Sequence, residues 1–399
     1  MPNEQIRNRK AELDAARTLK MARSTHAYVR GNTVKFYEWL EASPVAQRLP
    51  KGPAIWICGD CHLGNLGPLS DGNGNVEIQI RDLDQTVIGN PAHDLIRLGL
   101  SLATAARGSD LPGVTTARMI EEMVDGYEHA LAERDEGDPG PEPDVVRTVK
   151  RQSVGRRWRH LARERIDDAE PTIPLGKKFW ALDPEEREAL QSLFKDPEIK
   201  QSILSLDGKD LDRDLRLVDA AYWMKGCSSL GLLRYAGIIA IRGAKGREDF
   251  ALIDLKEATA PAAPIADGAD MPRDPAERVV TGARALSPYL GERMMAAKLL
   301  GKSVFIRELA PQDLKLEVDQ FTEGQAVKAA RYLSYVVGKA HARQMDAATR
   351  TAWRRSLLDH RRSGIEAPSW LWQSVVDLSG SHEAGYLEHC RRYALDRAA

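Results

Sequence analysis

Residues 57–65 read Ile57-Cys58-Gly59-Asp60-Cys61-His62-Leu63-Gly64-Asn65, or ICGDCHLGN, and put an aspartate, a histidine and an asparagine in one short loop. The residues before Asp60, PAIWIC at 53–58, form a short apolar run of β-type side chains, which predicts a buried strand or strand end. Cys58 and Cys61 have the spacing of a metal or redox pair. A zinc site needs four ligands, and no second CxxC or close histidine pair accompanies them, since Cys227 and Cys390 stand alone. A thioredoxin-type pair opens a helix after a strand, and Gly-Asp is an unusual filling for it. The two cysteines therefore read as packing, and the chemistry falls on Asp60.

Working outward, Asn65 lies five positions beyond Asp60, a spacing similar to the Asp-x-x-x-x-Asn loop of protein kinases, although both residue types are also common in ordinary loops. The DGNGN cluster at 71–75 signals a hairpin turn. VEIQI at 76–80 then alternates as a half-buried strand should. It delivers Arg81-Asp82-Leu83-Asp84, whose carboxylates at a strand end can hold magnesium against phosphates; a plain strand-end turn aspartate is the alternative. NPAHDLIRL at 90–98 opens an apolar-periodic helix.

GDCHLGN, a turn, IRDLD and NPAHDLIRL resemble, in that order, the aminoglycoside and choline phosphotransferase branch of the protein-kinase-like superfamily. The matched positions are Gly59, Asp60, His62, Asn65, Asp82 and Asp94. The resemblance implies ATP and Mg2+ as cofactors. Asp60 would accept the acceptor's proton, and Asn65 with Asp82 would hold the metal. His62 would orient the loop or make a structural hydrogen bond. Cys58 stands where the family's first histidine is usual. Asp84 stands where a glycine is usual, so either Asp82 or Asp84 can be the principal metal ligand.

Only 58 residues precede Gly59, too few for a kinase's five-stranded lobe, hinge and long helix. The missing lobe is expected downstream. KGCSSLG at 225–231 is a glycine-rich loop between apolar runs, and Gly226, Ser228, Ser229 and Gly231 are its candidates for approaching phosphate. Residues 234–241 and 250–256 read as a hairpin, and Lys256 falls where a kinase lysine grips the α/β-phosphates. Asp274-Pro275 is a helix start, with Asp as N-cap and Pro at the first helical position. Glu277 in its first turn is either the partner of Lys256 or a glutamate that favours the helix dipole. Residues 294–300, a turn at Gly301-Lys302 and residues 303–309 form the hairpin before a hinge that starts at Glu308. A long helix is expected over about 323–345.

The fold expected is thus α+β: a bilobal protein-kinase-like (aminoglycoside-phosphotransferase-like) fold, circularly permuted, with a largely helical C-lobe and an antiparallel-sheet N-lobe. Its divisions are 1–215 (catalytic loop and a helical insertion), 216–310 (nucleotide-gripping sheet) and 311–399 (hinge and remaining helices). CGDCH, DLD, GCSSLG and DLKEA in this order are similar to the uncharacterised bacterial family "domain of unknown function 2252", whose name carries no substrate.

Composition agrees with a globular chain of 399 residues. It has 57 basic and 58 acidic side chains, so no overall field favours nucleic acid or an anionic membrane. The polar N-terminus has no apolar signal core, and a cytoplasmic protein without a membrane span is expected. Residues 150–163 are strongly basic: they could steer an anionic substrate, or form a solvated face balanced by nearby acids. The expected activity is ATP- and Mg2+-dependent phosphotransfer to a hydroxyl or amine of an unidentified small-molecule or protein acceptor. Adenylyl transfer at the same site and a nucleotide-sensing regulator without turnover are the alternatives.

Overall fold

A computed structural model describes residues 2–71, 75–132, 142–154, 171–205, 214–226, 230–242, 248–310, 313, 322–358 and 367–398. The chain begins with helices α1 (Pro2–Ala22), α2 (Thr25–Gly31) and α3 (Thr33–Ala42). The second and third are capped by Ser24 and Asn32, whose side chains accept from Ala27 N and Lys35 N. Short strands β1 (Ile55–Ile57), β2 (Leu66–Ser70), β3 (Val76–Ile80) and β4 (Val87–Gly89) follow. They make two antiparallel pairs, β1 with β4 and β2 with β3. Next come α4 (Ala92–Gly108), α5 (Gly113–Leu131), α6 (Asp144–Val154), β5 (Phe179–Trp180), α7 (Pro184–Leu193) and α8 (Pro197–Ser205).

The larger sheet is built almost entirely from the middle of the chain. Strands β6 (Asp214–Trp223), β7 (Arg234–Arg242) and β8 (Glu248–Glu257) run consecutively. Helices α9 (Pro275–Leu286) and α10 (Pro288–Gly291) intervene before β9 (Met294–Leu299) and β10 (Lys302–Leu309). The order is β5-β6-β7-β8-β10-β9, antiparallel throughout. The β9–β10 connection places Leu300 at φ 52° and Gly301 at φ 72°, the two left-handed positions that suit a two-residue hairpin turn. Helices α11 (Glu323–Ala342), α12 (Ala347–Leu358) and α13 (Ser369–Ala398) complete the chain.

The molecule is therefore mixed α+β with antiparallel sheets. One large core joins α2–α5, α9 and α11–α13 around β1–β4. Two smaller cores cover the two faces of the six-stranded sheet. No helix among the described residues is long and apolar enough to cross a membrane. The long helix ends at Ala342, three residues short of the expected limit. The turn residues 72–74 and the basic residues 155–163 lie outside the described residues.

Candidate functional site

The loop after β1 is held from below. Asp94, buried in the first turn of α4, accepts from Cys58 N at 2.7 Å and from Gly59 N at 2.9 Å. Gly59 has φ +75°, and a Cβ there would meet Gln85 O at 2.2 Å, so only glycine fits this turn. Tyr37 OH donates to Gly59 O at 2.6 Å. A hydrogen-bonded chain from the C-terminal helices fixes Asp94 in turn. Trp353 Nε1 donates to Tyr127 OH at 3.1 Å, Tyr127 OH lies 2.9 Å from His341 Nδ1, and His341 Nε2 lies 3.1 Å from Asp94 Oδ2. In the tautomer that carries its proton on Nε2, His341 donates to Asp94 and its Nδ1 accepts from the tyrosine hydroxyl.

On this base Asp60 (8% exposed) accepts from Arg97 Nε at 2.8 Å, and Asn65 Nδ2 donates to Asp60 O at 2.9 Å. That bond engages the Asn65 amide nitrogen and not its carbonyl oxygen. Burial pushes the Asp60 carboxyl above its ordinary range, and Arg97 counteracts it. His62 is buried with Nε2 3.9 Å from Asp60 Oδ2, and burial followed by the charges of Arg30 and Arg97 drives its pKa well down. Cys58 and Cys61 are free, buried thiols. Contact with Cys61 and burial push Cys58 up, so it stays a neutral thiol.

Across the cleft, β8 presents Lys256 to the strand-end carboxylates. Lys256 Nζ pairs with Asp84 and lies 3.6 Å from Asp82 Oδ1. Two acids and one lysine make an unequal set. Desolvation opposes ionisation of Asp82, but Lys256, a hydrogen bond with Asp84 and the charges of Arg234 and Arg307 together outweigh it and hold that carboxyl below the usual range. Burial and the Asp82 charge push Asp84 up. The Asp82 side chain is 48% exposed, whereas Asp84 keeps one buried oxygen, Oδ1, without a partner among the described residues.

Asp254, two residues before Lys256 and on the same strand face, accepts from Arg234 Nε at 3.0 Å and Nη2 at 2.5 Å, and from Arg307 Nη2 at 3.2 Å. The sheet thus turns three cations toward one side: Arg234 and Arg307 share Asp254, and Lys256 pairs with Asp84 and Asp82. Magnesium binds proteins through one or two carboxylates plus substrate phosphates, and Asp82, Asp84 and the Asn65 oxygen suit that arrangement. Among the described residues no group of three or more His, Cys, Asp or Glu forms a metal cage.

The remaining candidates are less gathered. Gly226 (φ 95°) is exposed and its carbonyl accepts from Lys20 Nζ of α1 at 2.9 Å; Gly231 has φ 101° and open space around it. Ser228 and Ser229 lie outside the described residues. Glu277 does not reach Lys256: it is exposed, and its N–H is capped by Asp274 Oδ1 at 3.1 Å. The neighbouring Arg278 takes the cleft side of α9, donating to Thr86 O, to Asp84 O at 2.8 Å and to Thr259 O at 3.0 Å. One residue is a 100° step around a helix, which separates the two outcomes. Glu308 lies at the end of β10, where its carbonyl accepts from Arg293 Nη1 at 3.0 Å.

Sequence reasoning missed Arg97, Arg234, Asp254, Arg278 and Arg307. Arg97 sits three residues after Asp94 on one helical face, and Asp254 alternates with Lys256 on one strand face. Those two spacings were the available signals.

Neither a curated protein nor a solved structure matches the chain. The family model described as "Uncharacterized protein conserved in bacteria (DUF2252)" matches residues 9–392, nearly the whole length. The chain that builds this cleft belongs to that bacterial family, DUF2252.

Proposed function

We propose that the cleft is the site of an ATP- and Mg2+-dependent phosphotransferase with a circularly permuted, kinase-like arrangement of its two parts. The observation that carries this reading is the meeting of Lys256 with Asp84 and Asp82, groups 172 and 174 residues away along the chain. In kinases the phosphate-gripping lysine lies on the third strand of the small lobe and the metal aspartate follows the catalytic loop. Here Lys256 lies on the third strand counted from β6, a helix follows, and two more strands complete the sheet. The loop bearing Asp60 and Asn65 comes from the other end of the sequence.

In this reading Lys256, Arg234 and Arg307 oppose phosphate charge, and Asp82, Asp84 and Asn65 hold the cation. Bound magnesium would neutralise charge on the transferring phosphoryl group. Asp60 accepts the proton of the acceptor hydroxyl as its oxygen bonds to the γ-phosphorus. The bond from that phosphorus to the bridging oxygen breaks, its electron pair leaves with ADP, and the proton passes from Asp60 to solvent. Arg97 keeps Asp60 oriented while burial raises its proton affinity, two influences suited to a base.

A thermal-shift series over nucleotides, with and without magnesium, tests the reading. A ligand of the native state at a hundred times its Kd adds about 2.7 kcal/mol and raises Tm. ATP or ADP with magnesium is expected to raise Tm and EDTA to abolish the rise. The absence of any nucleotide effect would remove the proposal. With γ-labelled ATP, transfer of label to an acceptor separates phosphoryl from adenylyl transfer.

A further inference from the structure

The acceptor side of Asp60 carries more positive charge than Asp60 balances. Arg97 spends Nε on Asp60 Oδ1 and Nη2 on Val29 O, at 2.8 and 2.6 Å. Its Nη1, on a fully buried side chain, has no partner among the described residues. His62, also buried, has Nδ1 unpartnered among them.

Helix α2 brings two further groups, His26 and Arg30, to the same loop. The Arg30 guanidinium lies against Gly64, where a Cβ would sit 2.8 Å from Arg30 Cζ. Arg30 forms no ion pair among the described residues, and its Nε is buried without a partner. Burial and then the Arg30 and Arg97 charges lower the pKa of both imidazoles, His26 to about 4. The histidines therefore form a neutral wall, Arg97 is matched to Asp60, and Arg30 is left as an uncompensated cation at the edge of the loop.

A site built for a cationic acceptor would carry the opposite sign at this place. We propose that the acceptor bears an anionic group, a carboxylate or a phosphate, which seats against Arg30 beside Asp60. This deepens the phosphotransferase reading and rests on it. A guanidinium can bind either oxyanion with two parallel N–H···O bonds, which would orient the acceptor as well as attract it. The half-buried position of Arg30 lets its charge act with less screening than on an open surface.

Calorimetric titration of inorganic phosphate into the wild-type protein, Arg30→Ala, Arg30→Lys and Lys256→Ala tests the anion site without needing a nucleotide. Phosphate binding is expected to survive Lys256→Ala, to weaken at least about tenfold in Arg30→Ala, and to persist in part in Arg30→Lys. Equal affinity in wild type and Arg30→Ala, or loss in Lys256→Ala alone, would overturn it.

A second arm follows ATP consumption with glycerate and malate, with glycerol 3-phosphate and glucose 6-phosphate, and with glycerol and choline. Turnover confined to one of the anionic pairs supports the proposal and tells carboxylate from phosphate. KM for that acceptor should then rise in Arg30→Ala while Mg·ADP affinity is unchanged. Turnover of choline or glycerol alone would overturn the anion proposal and leave the phosphotransferase reading intact. Arg30-dependent phosphate binding in a protein that binds no nucleotide would do the reverse.

Discussion

Asp60 and Asp82 stand 22 residues apart in sequence and act on different partners in the proposed reaction. Asp60→Asn keeps the shape and the Arg97 contact but removes the base. Turnover should fall by about 10²–10⁴-fold, with Mg·ATP affinity nearly unchanged. Asp82→Asn removes an anionic oxygen from the cation, so Mg2+-dependent nucleotide binding should weaken along with turnover. Direct titration of Mg·ATP separates the two variants. If Asp84→Asn gives the Asp82 phenotype, the main ligand is two residues on. Loss of nucleotide binding in a folded Asp60→Asn protein would end this division of labour. Asp94 serves the same loop without touching a substrate. Asp94→Ala would leave Cys58 N and Gly59 N buried without an acceptor, and a loss of about 2–5 kcal/mol is expected from urea unfolding.

At the scale of elements, the loop that bears Asp60 depends on how closely α11 approaches α5, because α11 carries His341. Gly126 on α5 faces the Arg331 carbonyl of α11, and a Cβ there would lie 2.0 Å from that oxygen. Gly338 on α11 faces Ala130 in the same way, with a Cβ 2.6 Å from its methyl. Gly126→Ala should force the helices apart and cost about 1–3 kcal/mol in urea unfolding. If the proposed function holds, it should also lower kcat more than nucleotide affinity, since the His341–Asp94–Gly59 chain is disturbed and Lys256 is not. A Gly126→Ala protein as stable as wild type would show that the helices can separate at no cost. In the sheet, Asp254 is the single acid between Arg234 and Arg307. Asp254→Ala would strand two largely buried guanidinium groups, with an expected loss of about 3–5 kcal/mol.

Across the whole molecule, several histidines are buried in neutral form. Burial lowers His382 to about 3 and His93 to about 4, and drives His62 well down. In the unfolded chain these rings titrate near 6.5. Below that pH the unfolded state takes up protons that the folded state refuses. Their contribution is therefore complete above about pH 6.5 and is lost as pH falls through the depressed folded values. The slope is up to about 1.4 kcal/mol per pH unit for each such group. Asp60 and Asp84, with raised values, act in the opposite sense. His382 lies on α13 with Nδ1 3.0 Å from Leu378 O, and the charges of Arg97 and Lys35 add to the effect of its burial. His382→Gln should therefore flatten the fall in urea midpoint between about pH 6.5 and 4. An unchanged slope would mean that His382 is already charged in the folded protein.

Local chemistry in the sequence determined where most of the elements lie. Alternation set Val76–Ile80, the Asp274 cap with Pro275 set the start of α9, and Gly301 closed the β9–β10 hairpin. These signals depend on residues a few positions apart, and the chain can satisfy them before it is folded. The spacing of Asp60, Asn65, Asp82 and Asp84 was legible for the same reason. Which distant groups would meet was not legible. The facing of Arg278 into the cleft in place of Glu277 depends on how α9 rolls against the β4 side of the loop. The pairing of Arg97 with Asp60 and the arrival of Arg30 at Gly64 depend on the packing of α2 and α4. Register between β7, β8 and β10 decided that Arg234 and Arg307 both reach Asp254. Such contacts are fixed by the packing of whole elements, and no local spacing encodes an orientation that only the assembled core enforces.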